Sequence, residues 1–111
     1  MTPYQRRKTL LTEALEGYRA GKHHVFIDYA IEISRSAIVN EDDKKLHNLL
    51  VLRFMTEQPQ SVMKICKVLH IGRDHYEAVT ARAVDRLLVL LFGVDGIDFS
   101  ESNRRGRDGS A

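Results

Sequence analysis

The chain has 111 residues, of which 43% are hydrophobic and 29% charged, with a formal net charge of +2. This is the length and make-up of one ordinary globular domain, and the single cysteine, Cys66, excludes an internally disulfide-stapled scaffold. So small a net charge says little about partners; its distribution along the chain says more.

The first residues include early basic side chains but no apolar run behind them, so no secretory signal is expected. The longest apolar stretch, Leu87–Phe92, is far too short to cross a bilayer. A cytoplasmic location without membrane contact is therefore expected. A chain this short buries a limited core and is often stabilised by pairing with a copy of itself.

Residues 4–19 read as a helix, with Leu10, Leu11, Ala14, Leu15 and Tyr18 at helical spacing. Gly21 ends it or marks a bend. Residues 22–39 read as a second helix whose apolar face is expected to be Val25, Phe26, Tyr29, Ile33, Ala37 and Ile38. Whether the two form one bent element or a hairpin stays open. Asn40 is a natural cap for the next helix, and Glu41, Asp42 and Asp43 suit its first turn, where exposed amides favour negative charge. That helix continues through Leu46, Leu49, Leu50, Arg53 and Phe54 until Pro59 stops the pattern.

Ser61 caps a short helix with Val62, Ile65, Cys66 and Leu69 on one face; Cys66 reads as a buried thiol. His70-Ile71-Gly72 makes a turn, with Ile71 pinning it to the core. A longer helix then runs from Arg73 or Asp74 to about Leu91, with Tyr76, Val79, Ala83, Val84, Leu87, Leu88 and Leu91 as its inner stripe. Gly93 and Gly96 stop it. The polar stretch 98–111 has little to bury and reads as a flexible tail.

Residues 61–88 thus predict a helix-turn-helix, whose second helix offers its outer face to the DNA major groove. Arg73, Asp74, His75, Glu77 and Ala78 are the candidates for reading bases. Arg73 suits guanine, Asp74 or Glu77 suits cytosine N4, and Ala78 suits a thymine methyl. Ser61, Lys64, Lys67, Thr80, Arg82 and Arg86 are the candidates for phosphate contacts, which position the helix without reading sequence.

The stretch Lys44–Leu88 resembles region 4 of sigma-70-type factors, and more closely the ArpU/RinA-like phage regulators of late transcription. The likeness is carried by LLVLRFM, by SVMKICKVLHIGRDHY and by ARAVDRLL, in that order. It implies an all-α fold, a small helical domain containing a sigma region 4-like helix-turn-helix. It also implies a recognition helix beginning near Arg73 and a phage or prophage transcription regulator. The chain departs from the pattern at Lys64, where an acidic residue is usual, at Cys66, where alanine is, and at His75, often threonine. The expected organisation is residues 1–40 as a bracing or dimerising segment, 41–97 as the helix-turn-helix domain and 98–111 as the tail.

Double-stranded DNA is accordingly the expected partner, with RNA polymerase and a second copy of the chain as further ones. An enzyme is not expected: there is no glycine-rich phosphate loop, no HExxH and no paired carboxylate site. His23-His24 and His70/His75 lack a third ligand at diagnostic spacing, so neither a metal nor a cofactor is expected. Two rival readings are a module that grips RNA polymerase or a partner regulator without touching DNA, and a small terminase subunit. A DNA reader should gather Lys64, Lys67, Arg73 and Arg82 on one positive face; an interaction module should expose an apolar patch beside that helix.

Overall fold

Thr2 accepts a hydrogen bond from the Gln5 amide while the Gln5 side chain accepts one from the Thr2 amide, a reciprocal cap that starts α1, Pro3–Glu16. The chain then turns through a short 3-10 segment, Tyr18–Ala20, and Gly21 at φ 86°. Stacking of Tyr18 on His24, with ring centres 4.3 Å apart, holds this turn together. Next come α2 (His24–Ser36) and α3 (Glu41–Leu50), the latter continuing as a π-turn over Val51–Met55. Helices α4 (Val62–Leu69) and α5 (Tyr76–Phe92) complete the fold, with a 3-10 turn at Arg73–His75 leading into α5. The structure, a computed structural model, describes residues 1–93, and every regular element among them is helical. The expected tail and Gly96 lie outside the described residues.

Local chemistry places the starts of α3 and α4 where the residues predict them. Asn40 Oδ1 accepts from the Asp43 amide at 2.7 Å, and Ser61 Oγ from the Lys64 amide at 3.1 Å. Such a cap contributes about 1 kcal/mol. Asp43 also reaches back to the Val39 amide at 3.2 Å.

Helix α5 is the central element, with α1, α2 and α3 packed around it. Leu15, Ile27, Leu50, Leu87 and Leu88 meet in the main core, each contributing roughly 1.5–3 kcal/mol of burial. This core draws on α1 and α2 as much as on α3 and α5, so the packing has no seam at residue 40. A second cluster of Leu49, Ile65, Cys66, Leu69, Ile71 and Tyr76 fastens α4 and the turn to α3 and α5.

Three expectations need correction. First, α2 buries Ile27, Ala30, Ile31 and Ser34, not the predicted face; Val25 and Tyr29 are 86% and 62% exposed. Two faces of this helix fit helical spacing, and the one chosen carries the polar bonds of Ser34 to α3 and α5. Second, Leu10 and Val62 point outward although their neighbours in each stripe are buried. Third, the helix after Asn40 is not regular to its end. The Thr56 amide donates to the Val51 carbonyl five residues back, and Arg19 closes the turn by donating to the Thr56 carbonyl at 2.7 Å. The wider turn buries Phe54 in the core and lays Arg53 against α5.

Candidate nucleic-acid interface

Helix α4 ends at His70, which takes a left-handed conformation (φ 57°, ψ 48°) that reverses the chain. The Ile71 amide donates to the Cys66 carbonyl at 2.9 Å and the Ile71 side chain is buried, so the turn is anchored from both backbone and side chain. Gly72 then accepts from the His75 amide at 2.9 Å and opens the 3-10 turn. Arg73, Asp74, His75, Glu77 and Ala78 are all exposed, as the predicted base-reading group requires. Tyr76 between them is buried and points into the second cluster.

The accessible face of α5 is short. Beyond Arg82 it meets Asp85, which accepts from the Tyr4 hydroxyl at 2.5 Å and pairs with Lys8 at 3.0 Å. Helix α1 therefore covers the continuation, and only the first turns of α5 present a free outer side.

The predicted phosphate group divides. Lys64 and Lys67 are exposed, and no hydrogen bond or ion pair holds their side chains within the described residues. Ser61 is exposed too, with its oxygen capping α4. Arg82 is exposed but already paired with Asp42 at 2.8 Å. Thr80 and Arg86 are corrections. Thr80 is buried, donates to the Tyr76 carbonyl at 2.9 Å and accepts from Arg53 at 2.9 Å. Arg86 is largely enclosed, donating to Ser34 Oγ at 2.8 Å and to the Ser34 carbonyl at 3.1 Å, with Asp43 at 3.5 Å. Both serve the interior because α5 turns those positions toward α3 and α2.

Three participants escaped the sequence reading. Arg53 donates to Glu77 at 3.0 and 3.3 Å and stacks over the Tyr76 ring, 4.8 Å from its centre. Glu77 is therefore ion-paired at the edge of this exposed group. Lys44 and Lys45, on the outer side of α3, line a groove of about 190 Å³ with Val68 and His70 at the end of α4. The adjacent pair of lysines in a helix leading to the turn was the available signal. Together with Lys64, Lys67 and Arg73 they make five cations without a side-chain partner within the described residues. Interleaved among them are exposed apolar side chains of α4, Met63 at 64% and Val68 at 56%.

His47 lies in the interior, apart from this surface. It is 5% exposed and shares a 2.8 Å hydrogen bond with Ser34. Burial, then the charges of Arg35 and Arg86, hold its pKa below the usual histidine value, against a smaller opposing effect of Glu32. Ser34 Oγ also accepts from Arg86, so one hydroxyl links the guanidinium to the His47 ring. This network joins α2, α3 and α5 and lies inside the fold.

Among the described residues no group of three or more His, Cys, Asp or Glu side chains could hold a metal ion, and no helix is long and apolar enough to cross a membrane. The fold and surface define a small all-α protein with unpaired cations gathered around the turn between α4 and α5. Comparison of the chain with protein-family models, with curated proteins and with solved structures finds no match.

Proposed function

We propose that the protein binds double-stranded DNA and regulates transcription, laying the first turns of α5 in the major groove. The observation that carries this reading is the concentration of unpartnered cations around one turn: Lys44, Lys45, Lys64, Lys67 and Arg73. At the same edge Arg53 and Arg82 are ion-paired; away from it Lys8, Arg35 and Arg86 are engaged in ion pairs, and Arg6 and Lys22 are single exposed cations. Unpaired cations flanking an exposed helix start suit a phosphate backbone on either side of a groove. Arg73, Asp74, His75 and Ala78 then face base edges, while Glu77 stays with Arg53. The resemblance to phage regulators of late transcription supports the same assignment and a phage or prophage setting.

A second reading rests on Met63 and Val68. Apolar side chains exposed on α4 beside the turn also suit a protein partner, RNA polymerase or another regulator. The small terminase reading has no such observation behind it.

Selection of bound sequences from randomised duplex DNA, at two salt concentrations, separates the readings. An enriched motif whose affinity falls with salt, and which an Arg73→Ala/His75→Ala variant no longer selects, is the outcome expected of a DNA reader. Feeble, motif-free binding at low salt would overturn it and bring RNA polymerase forward as the partner to test.

A further inference from the structure

Two carboxylates stand in the exposed group at the start of α5, and they differ in what they meet. Glu77 takes the Arg53 guanidinium on both oxygens, at 3.0 and 3.3 Å. Asp74 is 84% exposed, and among the described residues its ionic neighbour is His75, whose Nε2 lies 3.8 Å away, beyond hydrogen-bond range. Its bonding capacity is therefore open to a partner from outside. Its surroundings are low. Gly72 precedes it, and the small side chain of Ala78, also exposed, follows about one turn later. Gly72 has φ −62° and ψ 138°, a conformation open to any residue, so the backbone does not call for glycine there. A Cβ at Gly72 would stand 3.0 Å from Asp74 Oδ1 and 3.0 Å from His75 Cδ2. The missing side chain lets the carboxylate and the imidazole lie back over the turn together.

We propose that Asp74 selects the base, accepting a hydrogen bond from an exocyclic amino group, cytosine N4 or adenine N6; this rests on the DNA-binding reading. An ionised carboxylate accepts and does not donate. In the major groove those amino groups are the donors, whereas guanine O6 and N7, adenine N7 and thymine O4 are acceptors. Arg73 beside Asp74, and Lys44, Lys45, Lys64 and Lys67 around the turn, draw the duplex in whichever base is present. Against the edge of guanine or thymine the carboxylate meets acceptors alone and loses water without gaining a bond. Against cytosine or adenine it gains one. The choice thus comes from a repulsive element as much as from an attractive one. The side chain of Asp74 is short and reaches a base that comes close, which Gly72 and Ala78 permit. Glu77, held by Arg53, makes no such choice and serves to position α5.

Selection from randomised duplex DNA with the wild type, Asp74→Asn and Glu77→Gln tests this, with circular dichroism as a check on folding. The wild type is expected to show a motif position restricted to cytosine or adenine. Asp74→Asn, whose amide both donates and accepts, should admit guanine or thymine there, a change in preference of roughly tenfold. Glu77→Gln should keep the motif. A second arm leaves the protein unaltered: a duplex carrying purine for the selected adenine, or pyrimidinone for the selected cytosine, lacks the amino group alone. The wild type should bind it roughly tenfold more weakly than the parent duplex, and Asp74→Ala should bind the two alike. A motif that survives Asp74→Asn unchanged, or a wild type indifferent to loss of the amino group, would overturn the role of Asp74 and leave the DNA-binding reading standing. A wild type that selects no motif would overturn both.

Discussion

Arg53 and Glu77 form a two-pronged ion pair, 3.0 and 3.3 Å, between the π-turn that ends α3 and the first turn of α5. The same guanidinium donates to Thr80 and lies over Tyr76. One side chain therefore fixes the angle at which α5 leaves the turn. Arg53→Ala is expected to destabilise the fold by about 1–3 kcal/mol, as removal of a charge-assisted hydrogen-bond set does. Glu77→Gln should cost much less, because Glu77 is 77% exposed and solvent screens the pair. Urea unfolding of both variants checks the order; equal destabilisation would show that the anchor is the ion pair alone.

The groove beside His70 makes a prediction about DNA. Lys44→Gln/Lys45→Gln should weaken binding evenly across sequences. It should also flatten the dependence of log K on log salt by about 0.9 for each phosphate that is no longer neutralised. Lys64→Gln/Lys67→Gln should behave alike. Lys22→Gln, just before α2 and away from the turn, should leave the slope unchanged. Titrations by fluorescence anisotropy at several salt concentrations read this directly, and an unchanged slope in the Lys44/Lys45 variant would remove α3 from the interface.

The buried imidazole of His47 predicts a pH dependence of stability. Its folded pKa lies below the ordinary 6.5, so near that pH the unfolded chain binds a proton that the folded protein refuses. The stabilisation is complete above the unfolded value and is lost as pH falls through the folded one, at up to about 1.4 kcal/mol per pH unit in between. His47→Gln should flatten this part of the curve. Chemical unfolding from neutral pH down to about 5, the range in which histidine titrates, gives the comparison. A variant with the same acid slope as the wild type would assign the effect to another group.

His70 supplies a test of the turn itself. A left-handed backbone costs an L-residue about 1–2 kcal/mol, part of which glycine returns through its greater freedom when unfolded. His70→Gly is expected to raise stability by about 0.5–1 kcal/mol. His23, also at φ 57°, should respond in the same direction. Destabilisation at position 70 by thermal or chemical unfolding would mean that the imidazole holds the turn by contact.

Much of the fold is legible in the residues because the signals are local. Asn40 and Ser61 cap the helices that follow them, the pattern stops at Pro59, and Ile71 is apolar in an otherwise polar turn. The stripe from Tyr76 through Leu88 leaves α5 one way to face the core. Each signal spans a few residues, within which backbone geometry alone relates the side chains. The same local geometry predicts Arg73, Asp74, His75, Glu77 and Ala78 on the outside, and all five are there.

The remainder was decided by contacts between distant parts of the chain. Helix α2 has two apolar faces, and periodicity cannot choose between them. The choice falls to Ser34, which meets His47 on α3 and Arg86 on α5. Arg86 and Thr80 read as surface side chains on a helix, yet packing against α2 and α3 turns both inward. Lys44 and Lys45 join the basic edge only because α3 runs past the end of α4. The starts of α3 and α4, the turn at Ile71 and the stripe of α5 belong to the sequence, since neighbours along the chain determine them; α5 itself starts at Tyr76 rather than at Arg73 or Asp74, which lie in the 3-10 turn before it. Which side of α2 is left bare, and which cations are left unpaired, was determined by packing, because those partners are distant in the chain, as Ser34 and Arg86 are at 52 residues apart.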